Sequence, residues 1–467
     1  MLSFVSKYAT AAHLALMTVA PLFLFPFCGE GEIAKVLLWL SLLGAVWVVM
    51  SPSVKAGELP HTARTRFISE VVSDPFFWFL VALVAFAAIR ALNGGVAFAY
   101  DAETYTWSLA MPTAEILPGC VTGTGFLPFS MSVALLVLFQ GFRHALNKSA
   151  VLVYLVSTTV LSGLSAIALI VAMSYGNKDV MSLADCSYLV PSFIGTAYGV
   201  HFLAGLAALF CFLEMSMVVL ELLMVISLAA VALALAIFSP PLTLAVFAVA
   251  FVAVVVLSFV FIGRALAGAC SLRCTLAVLF LLFVAVSPFV FFGATAALPA
   301  RRDAILALQF LPAGFVDSRS VLSDIAFRVW KSHPWLGSGL GSFTLDIKFL
   351  ATPENWAVIS PLQTSSTCGW WQLFAERGII GTLMLAITGG FLVWAYGRRL
   401  VLTFSMRRFR SINFIGPIVA LALIALAFVD CSFLRVDVLL AAAAAMALST
   451  AAMPEDRRAG SNAKEVK

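Results

Sequence analysis

The chain has 467 residues, of which 62% are hydrophobic and only 11% charged, with a mean hydropathy of +1.05 and a net charge of +5. No soluble domain carries that balance, so a soluble enzyme is excluded and the composition is that of an all-α, polytopic membrane helix bundle. The small positive balance gives no ground for a nucleic-acid partner.

A membrane crossing takes about twenty residues. Apolar runs predict spans near 9–28, 33–50, 76–92, 126–142, 151–173, 193–213, 217–237, 242–262, 274–292, 379–397, 413–429 and 437–453, about twelve transmembrane helices. The chain therefore divides into helices one to nine (1–292), a long loop with amphipathic helices (293–378), helices ten to twelve (379–453) and a polar tail (454–467). The first run has only Lys7 ahead of it and no small-residue cleavage site behind it, so it is expected to be a retained span. Lys and Arg accumulate in cytoplasmic loops. With the N-terminus inside, 17 of the 28 basic residues fall on the inner side, among them Arg398, Arg399, Arg407, Arg408 and Arg410 as an anchor for anionic membrane lipids. Both termini are then cytoplasmic and the long loop lies outside.

In chain order, the inner loop 51–74 reads as a short basic connection. Arg90 closes the third span at a depth suited to a snorkelling headgroup anchor or a substrate contact. The outer loop 91–125 carries Asp101, Glu103, Tyr105, Trp107 and Glu115. His201 falls just inside the sixth span, near its outer end, where an imidazole can titrate or hydrogen-bond a substrate or a neighbouring helix. Ser239, Pro240 and Pro241 make the turn between spans seven and eight.

The loop 293–378 is the one long polar interruption, and loops of that length are commonly functional. Within it, Val321, Leu322, Ile325, Ala326, Val329 and Trp330 recur at helical spacing behind a cap at Asp317 or Ser318. This predicts an amphipathic helix lying on the membrane surface or the bundle rim. His333 and Pro334 end it, and Gly337, Gly339 and Gly341 supply backbone able to approach a ligand closely. Arg301, Arg302, Arg319 and Arg328 stand in this loop beside Asp303, Asp317 and Asp324. Gly378, Gly381, Gly389 and Gly390 are expected to let the tenth span pack closely on a neighbour. Five cysteines, Cys28, Cys120, Cys186, Cys368 and Cys431, fall on the outer side, where Cys368 can pair with Cys186 or Cys120. Metal-type spacing is absent from the sequence, so no metal is expected.

At HPWLGSGLGSF, followed some thirty residues on by WWQLFAERGIIG, the chain resembles the O-antigen ligase and polymerase family of bacterial envelope glycosyltransferases. The family's pattern falls on Arg319, Pro334, Leu336, Gly337, Gly339, Gly341, Phe343, Glu376, Gly378 and Gly381, and GTAYGVHFLAG around His201 is similar to the segment opening the family's sixth span. The resemblance implies a metal- and cofactor-independent glycosyltransferase of the bacterial inner membrane. Such an enzyme takes a glycan from an undecaprenyl diphosphate carrier and passes it to an acceptor glycan or lipid-linked sugar at the periplasmic face, with the long loop between helices nine and ten. It also assigns Arg319 to the diphosphate, with Arg301, Arg302 and Arg328 following it, since guanidinium offers bidentate donors to phosphate oxygens. The chain departs from the pattern at Thr367 and Cys368, where the family has His-Asn, and at Ser239, Pro240 and Pro241, where it has Ser-Arg-Gly. Glu376, His201 and His333 are the candidates to replace the missing base. The competing readings are a solute or lipid transporter of the same topology and a catalytically inactive relative. Apart from His13 and Glu221 the span centres carry almost no ionisable groups, which disfavours the transporter.

Overall fold

The computed structural model describes residues 2–24, 27–28, 30–52, 59–92, 97–101, 106–110, 126–146, 148–175, 193–215, 217–262, 275–284, 286, 315–339, 342–350, 352, 368–403, 410–428 and 434–451. Its helices are α1 (Leu2–Leu24), α2 (Glu30–Met50), α3 (Pro60–Val72), α4 (Pro75–Leu92), α5 (Phe126–Gln140), α6 (Lys148–Ser174), α7 (Phe193–Met215), α8 (Val218–Phe238) and α9 (Pro241–Ile262). They continue with α10 (Thr275–Val284), α11 (Phe315–Ser332), α12 (Phe343–Leu350), α13 (Gly369–Thr403), α14 (Arg410–Ala427) and α15 (Val436–Ala451). The chain is a helical bundle in which, among the described residues, eight stretches are long and apolar enough to cross a membrane. Four shorter apolar stretches, Tyr8–Leu24, Thr275–Val284, Phe414–Ala427 and Val436–Ser449, fall where the sequence predicts the other four spans.

Two helices form the centre. The span within α7 is 94% buried, against 33% for that of α2, whose Trp39, Leu42, Leu43 and Val46 face outwards. Helix α7 packs against α6, α8, α9, α14 and α15. The alanines Ala441 to Ala445 of α15 are buried and let it touch α1, α5, α7 and α14. Small side chains do this because without a hydrophobic gradient between helices, close van der Waals approach drives association.

Several expectations change. The loop 51–74 contains α3, whose Ala63, Phe67 and Val71 recur every four residues, are buried, and dock it on α2 and α4. The outer loop is not wholly helical or irregular: Ala97–Asp101 (β1) and Thr106–Ala110 (β2) pair antiparallel, with Tyr100 opposite Trp107. Their alternation of small or polar residues with aromatics has the period of a strand. Arg90 does not snorkel. It is 0% exposed, and its guanidinium lies 5.5 Å from the Phe86 ring centre. Gly389 and Gly390 have open space beside them, so no helix among the described residues uses them for close approach.

Where α3 meets the bundle, α5 ends in a π-helical turn, Gly141–Ala145, closed by the Leu146 N–H on the Gly141 carbonyl. That turn presents Arg143 and His144 to Asp74, at 3.2 and 3.3 Å. Asp74 also accepts from the Phe76 N–H at 3.1 Å, capping α4. Burial works to raise the Asp74 pKa, but His144, Arg143 and the Phe76 N–H together hold it below the usual carboxylate value.

Candidate functional site at a helix break

The polar segment after α10 folds around a second, smaller core. The apolar face of α11 carries Leu322, Ile325, Ala326 and Val329, and these pack with Phe343 and Ile347 of α12 and Ala375 of α13. The amphipathic face therefore rests on the chain's own α12 and α13, not on the membrane surface. An aromatic row reinforces the contact: Phe327 meets Trp371 edge-on at 5.8 Å and Trp330 meets Phe374 at 6.2 Å.

Helix α13 is interrupted at Gly378, whose φ of 64° and ψ of −170° are open only to glycine. A break there removes the bonds that the Ile379 and Ile380 N–H groups would make to the carbonyls of Ala375 and Glu376. The segment after α11 replaces both pairs. The Ser338 N–H donates to the Ala375 carbonyl (2.8 Å) and the Gly339 N–H to the Glu376 carbonyl (3.3 Å). The Ile379 and Ile380 N–H groups donate in turn to the carbonyls of Pro334 (2.9 Å) and Trp335 (3.0 Å). The four groups left by these two lost bonds are thus satisfied by one loop.

This clasp joins the two segments that carry the sequence resemblance, and it gives Gly337 and Gly339 a different task from the one expected. Both have positive φ, and a Cβ on Gly337 would collide with the Glu376 carbonyl carbon. What the glycine at 337 approaches closely is the chain itself.

Beside the clasp, the Ser338 and Ser342 hydroxyls contact each other, and their two protons are shared among Asp346 Oδ2, 3.2 Å from Ser338, the Gly339 carbonyl, 2.8 Å from Ser342, and each other. Burial pushes the Asp346 carboxyl up to about 6, against the opposing pull of the Ser342 and Ser338 hydroxyls. Such a group exchanges a proton near neutral pH, which is what general acid-base chemistry requires. No sequence pattern marks it, because an Asp four residues after a Ser in a segment rich in acids is unremarkable. Its half-buried position on α12, against the Ser338 hydroxyl, is a tertiary fact.

The predicted site residues separate into groups. Glu376 is buried at the clasp and accepts from Gln372 Nε2 at 3.0 Å. His333 sits at the end of α11 with Nδ1 3.0 Å from the Ser332 hydroxyl. Arg328 is tied to Asp324 at 2.6 Å in a solvent-exposed pair. Arg319 is half-buried near the other end of α11, about 20 Å from His333 at 1.5 Å per residue. Among the described residues it has no hydrogen-bond or ion-pair partner. His201 is not with them: it lies eight residues into α7, buried in the bundle, on the wall of a cavity shared with α1, α6 and α15. Arg301, Arg302, Gly341 and Thr367 lie outside the described residues, as do Cys120 and Cys186, the expected partners of the buried Cys368. A scan of the chain against models of known protein families finds no match, and a search of curated proteins finds none either.

Proposed function

We propose that the protein is an envelope polysaccharide ligase or polymerase of the bacterial inner membrane, moving a glycan from a polyprenyl diphosphate carrier to an acceptor hydroxyl at the periplasmic face. The clasp carries this reading. The segments 334–339 and 375–380, which together make up most of the resemblance to the O-antigen family, meet backbone to backbone. Eight long and four shorter apolar stretches at the twelve expected positions support a twelve-span bundle. The distribution of Lys and Arg puts both termini inside and α11 outside.

In this mechanism the acceptor oxygen forms a bond to the anomeric carbon of the donor, and the bond from that carbon to the diphosphate oxygen breaks. The electron pair leaves on the polyprenyl diphosphate. Arg319, the arginine of α11 not engaged with a neighbouring carboxylate among the described residues, meets the growing negative charge. Asp346 takes the hydroxyl proton in place of the family histidine, whose position here is Thr367.

The test is Arg319→Ala in cells lacking the wild-type gene, with lipid-linked glycans resolved by mass spectrometry. Loss of transfer with stranded donor is expected, single units for a polymerase and full chains for a ligase. Unchanged surface glycan with the protein present in the membrane would end the proposal.

A further inference from the structure

A second polar feature lies inside the bundle, away from the clasp. Thr18 of α1, Tyr154, Thr158 and Thr159 of α6 and His201 of α7 line a cavity closed on its fourth side by alanines of α15. His201 is 3% exposed, and its Nε2 is buried with no hydrogen-bond partner among the described residues. Bulk water does not reach that depth to satisfy it.

The hydroxyls on the wall are committed in one direction. Thr18, Thr158 and Thr159 each donate to the carbonyl four residues back, at 2.8 Å. Tyr154 donates to Thr18 Oγ1 at 3.2 Å. Every donor proton on those four groups is therefore taken, and what the threonines offer the cavity is lone pairs. Thr159 lies against α7: a Cβ on Gly205, one turn after His201, would lie 3.1 Å from Thr159 Oγ1.

An occupant must donate to threonine oxygens and also satisfy an imidazole nitrogen. Size decides its class. About 10 Å³ is open to a water-sized occupant, the lower bound for a single water and far below what a sugar or a lipid needs. Water both donates and accepts, so it suits either tautomer of His201. A monovalent cation needs a fuller shell of oxygens than these hydroxyls supply.

We infer that this cavity binds one internal water, held between His201 Nε2 and the threonine oxygens of α6, so that His201 ties α7 to α6 and α1. His201 is on this account a positioning residue of the bundle and makes no contact with a glycan. The inference stands independently of the proposed transfer reaction.

The full chain, carrying ¹⁵N-labelled histidine in lipid bilayers, gives a direct test by solid-state NMR. Five histidines contribute, and His201 is assigned by the resonance lost in His201→Phe. Should that variant not fold, replacing His13, His61, His144 and His333 in turn makes the same assignment. The expected result is a correlation between His201 Nε2 and water protons that survives when bulk water is filtered out, and that weakens in Thr159→Val. Absence of that correlation in the wild-type protein overturns the inference. So does a His201 resonance that moves when sodium is exchanged for choline, because a cation then occupies the site.

Discussion

A Cβ atom on Gly378 would lie 2.5 Å from the backbone nitrogen of Gly337, so these two residues, far apart in sequence, are in contact through main chain alone. Each also has positive φ, 64° and 72°. Gly378→Ala and Gly337→Ala should each cost at least about 1–3 kcal/mol from backbone strain, with the steric clash in addition. Gly389→Ala, on the same helix with open space beside it, should be neutral or slightly stabilising. Thermal unfolding of the three purified variants decides it. Equal melting temperatures would mean that the clasp contributes no stability.

The two described arginines of α11 should behave differently. Arg319→Ala should abolish glycan transfer and Arg319→Lys restore part of it, since an ammonium lacks the bidentate fork. Arg328→Ala should leave transfer intact and change stability by less than about 1 kcal/mol, because its pair with Asp324 is more than half exposed on both sides. Transfer assays on membranes normalised for protein content separate the two.

Asp346 gives opposite signs for stability and rate. Its folded pKa of about 6 exceeds the ordinary 3.8, so the folded state holds the proton more tightly than the unfolded chain. Stability should fall as pH rises from about 4 to 6 and then level off. Asp346→Asn should remove that slope and be more stable than wild type at pH 7. The same substitution should lower transfer by about 10²–10⁴-fold, and the wild-type rate should climb through pH 6. A variant that is both more stable and fully active would restrict Asp346 to a structural role.

Asp74 has the reverse linkage. Its folded pKa lies below 3.8, so its contribution is complete above that value and is lost as pH falls through the folded pKa. Asp74→Asn leaves Arg143 without its carboxylate and should cost about 2–3 kcal/mol at pH 7. The variant should also lose less stability than wild type on acidification, which unfolding curves at pH 7 and pH 3 will reveal.

Sidedness is open to direct measurement. In a cysteine-free background, a thiol introduced as Arg328→Cys on the exposed face of α11 should react with a membrane-impermeant maleimide in intact spheroplasts. Labelling only after the membrane is broken would put α11 in the cytoplasm and remove the proposed reaction.

How much of this was readable from sequence depends on what each signal measures. Hydropathy located the eight long and four shorter apolar stretches found among the described residues, because transfer of a side chain into an apolar phase is a property of that side chain and its neighbours in sequence. The amphipathic period located α11 for the same local reason. The pattern 334–381 also marked both halves of the clasp, but as a possible ligand cradle. The aromatic alternation in 97–110 was local as well, and could have been read as strand.

What local chemistry does not contain is which apolar surface meets protein and which meets lipid. The spans of α7 and α2 are similarly apolar, yet one is 94% buried and the other 33%. Lipid and leucine are alike as solvents, so nothing in composition separates them. The same limit hid the partner of Gly337, the burial that lifts Asp346 and the depth of His201. The sequence alone determined that the chain is a bundle of apolar helices with one long polar insertion. The tertiary structure decided that the insertion closes on a broken helix, because the orphaned backbone groups of residues 375, 376, 379 and 380 must find partners, and only folding brings residues 334–339 to them.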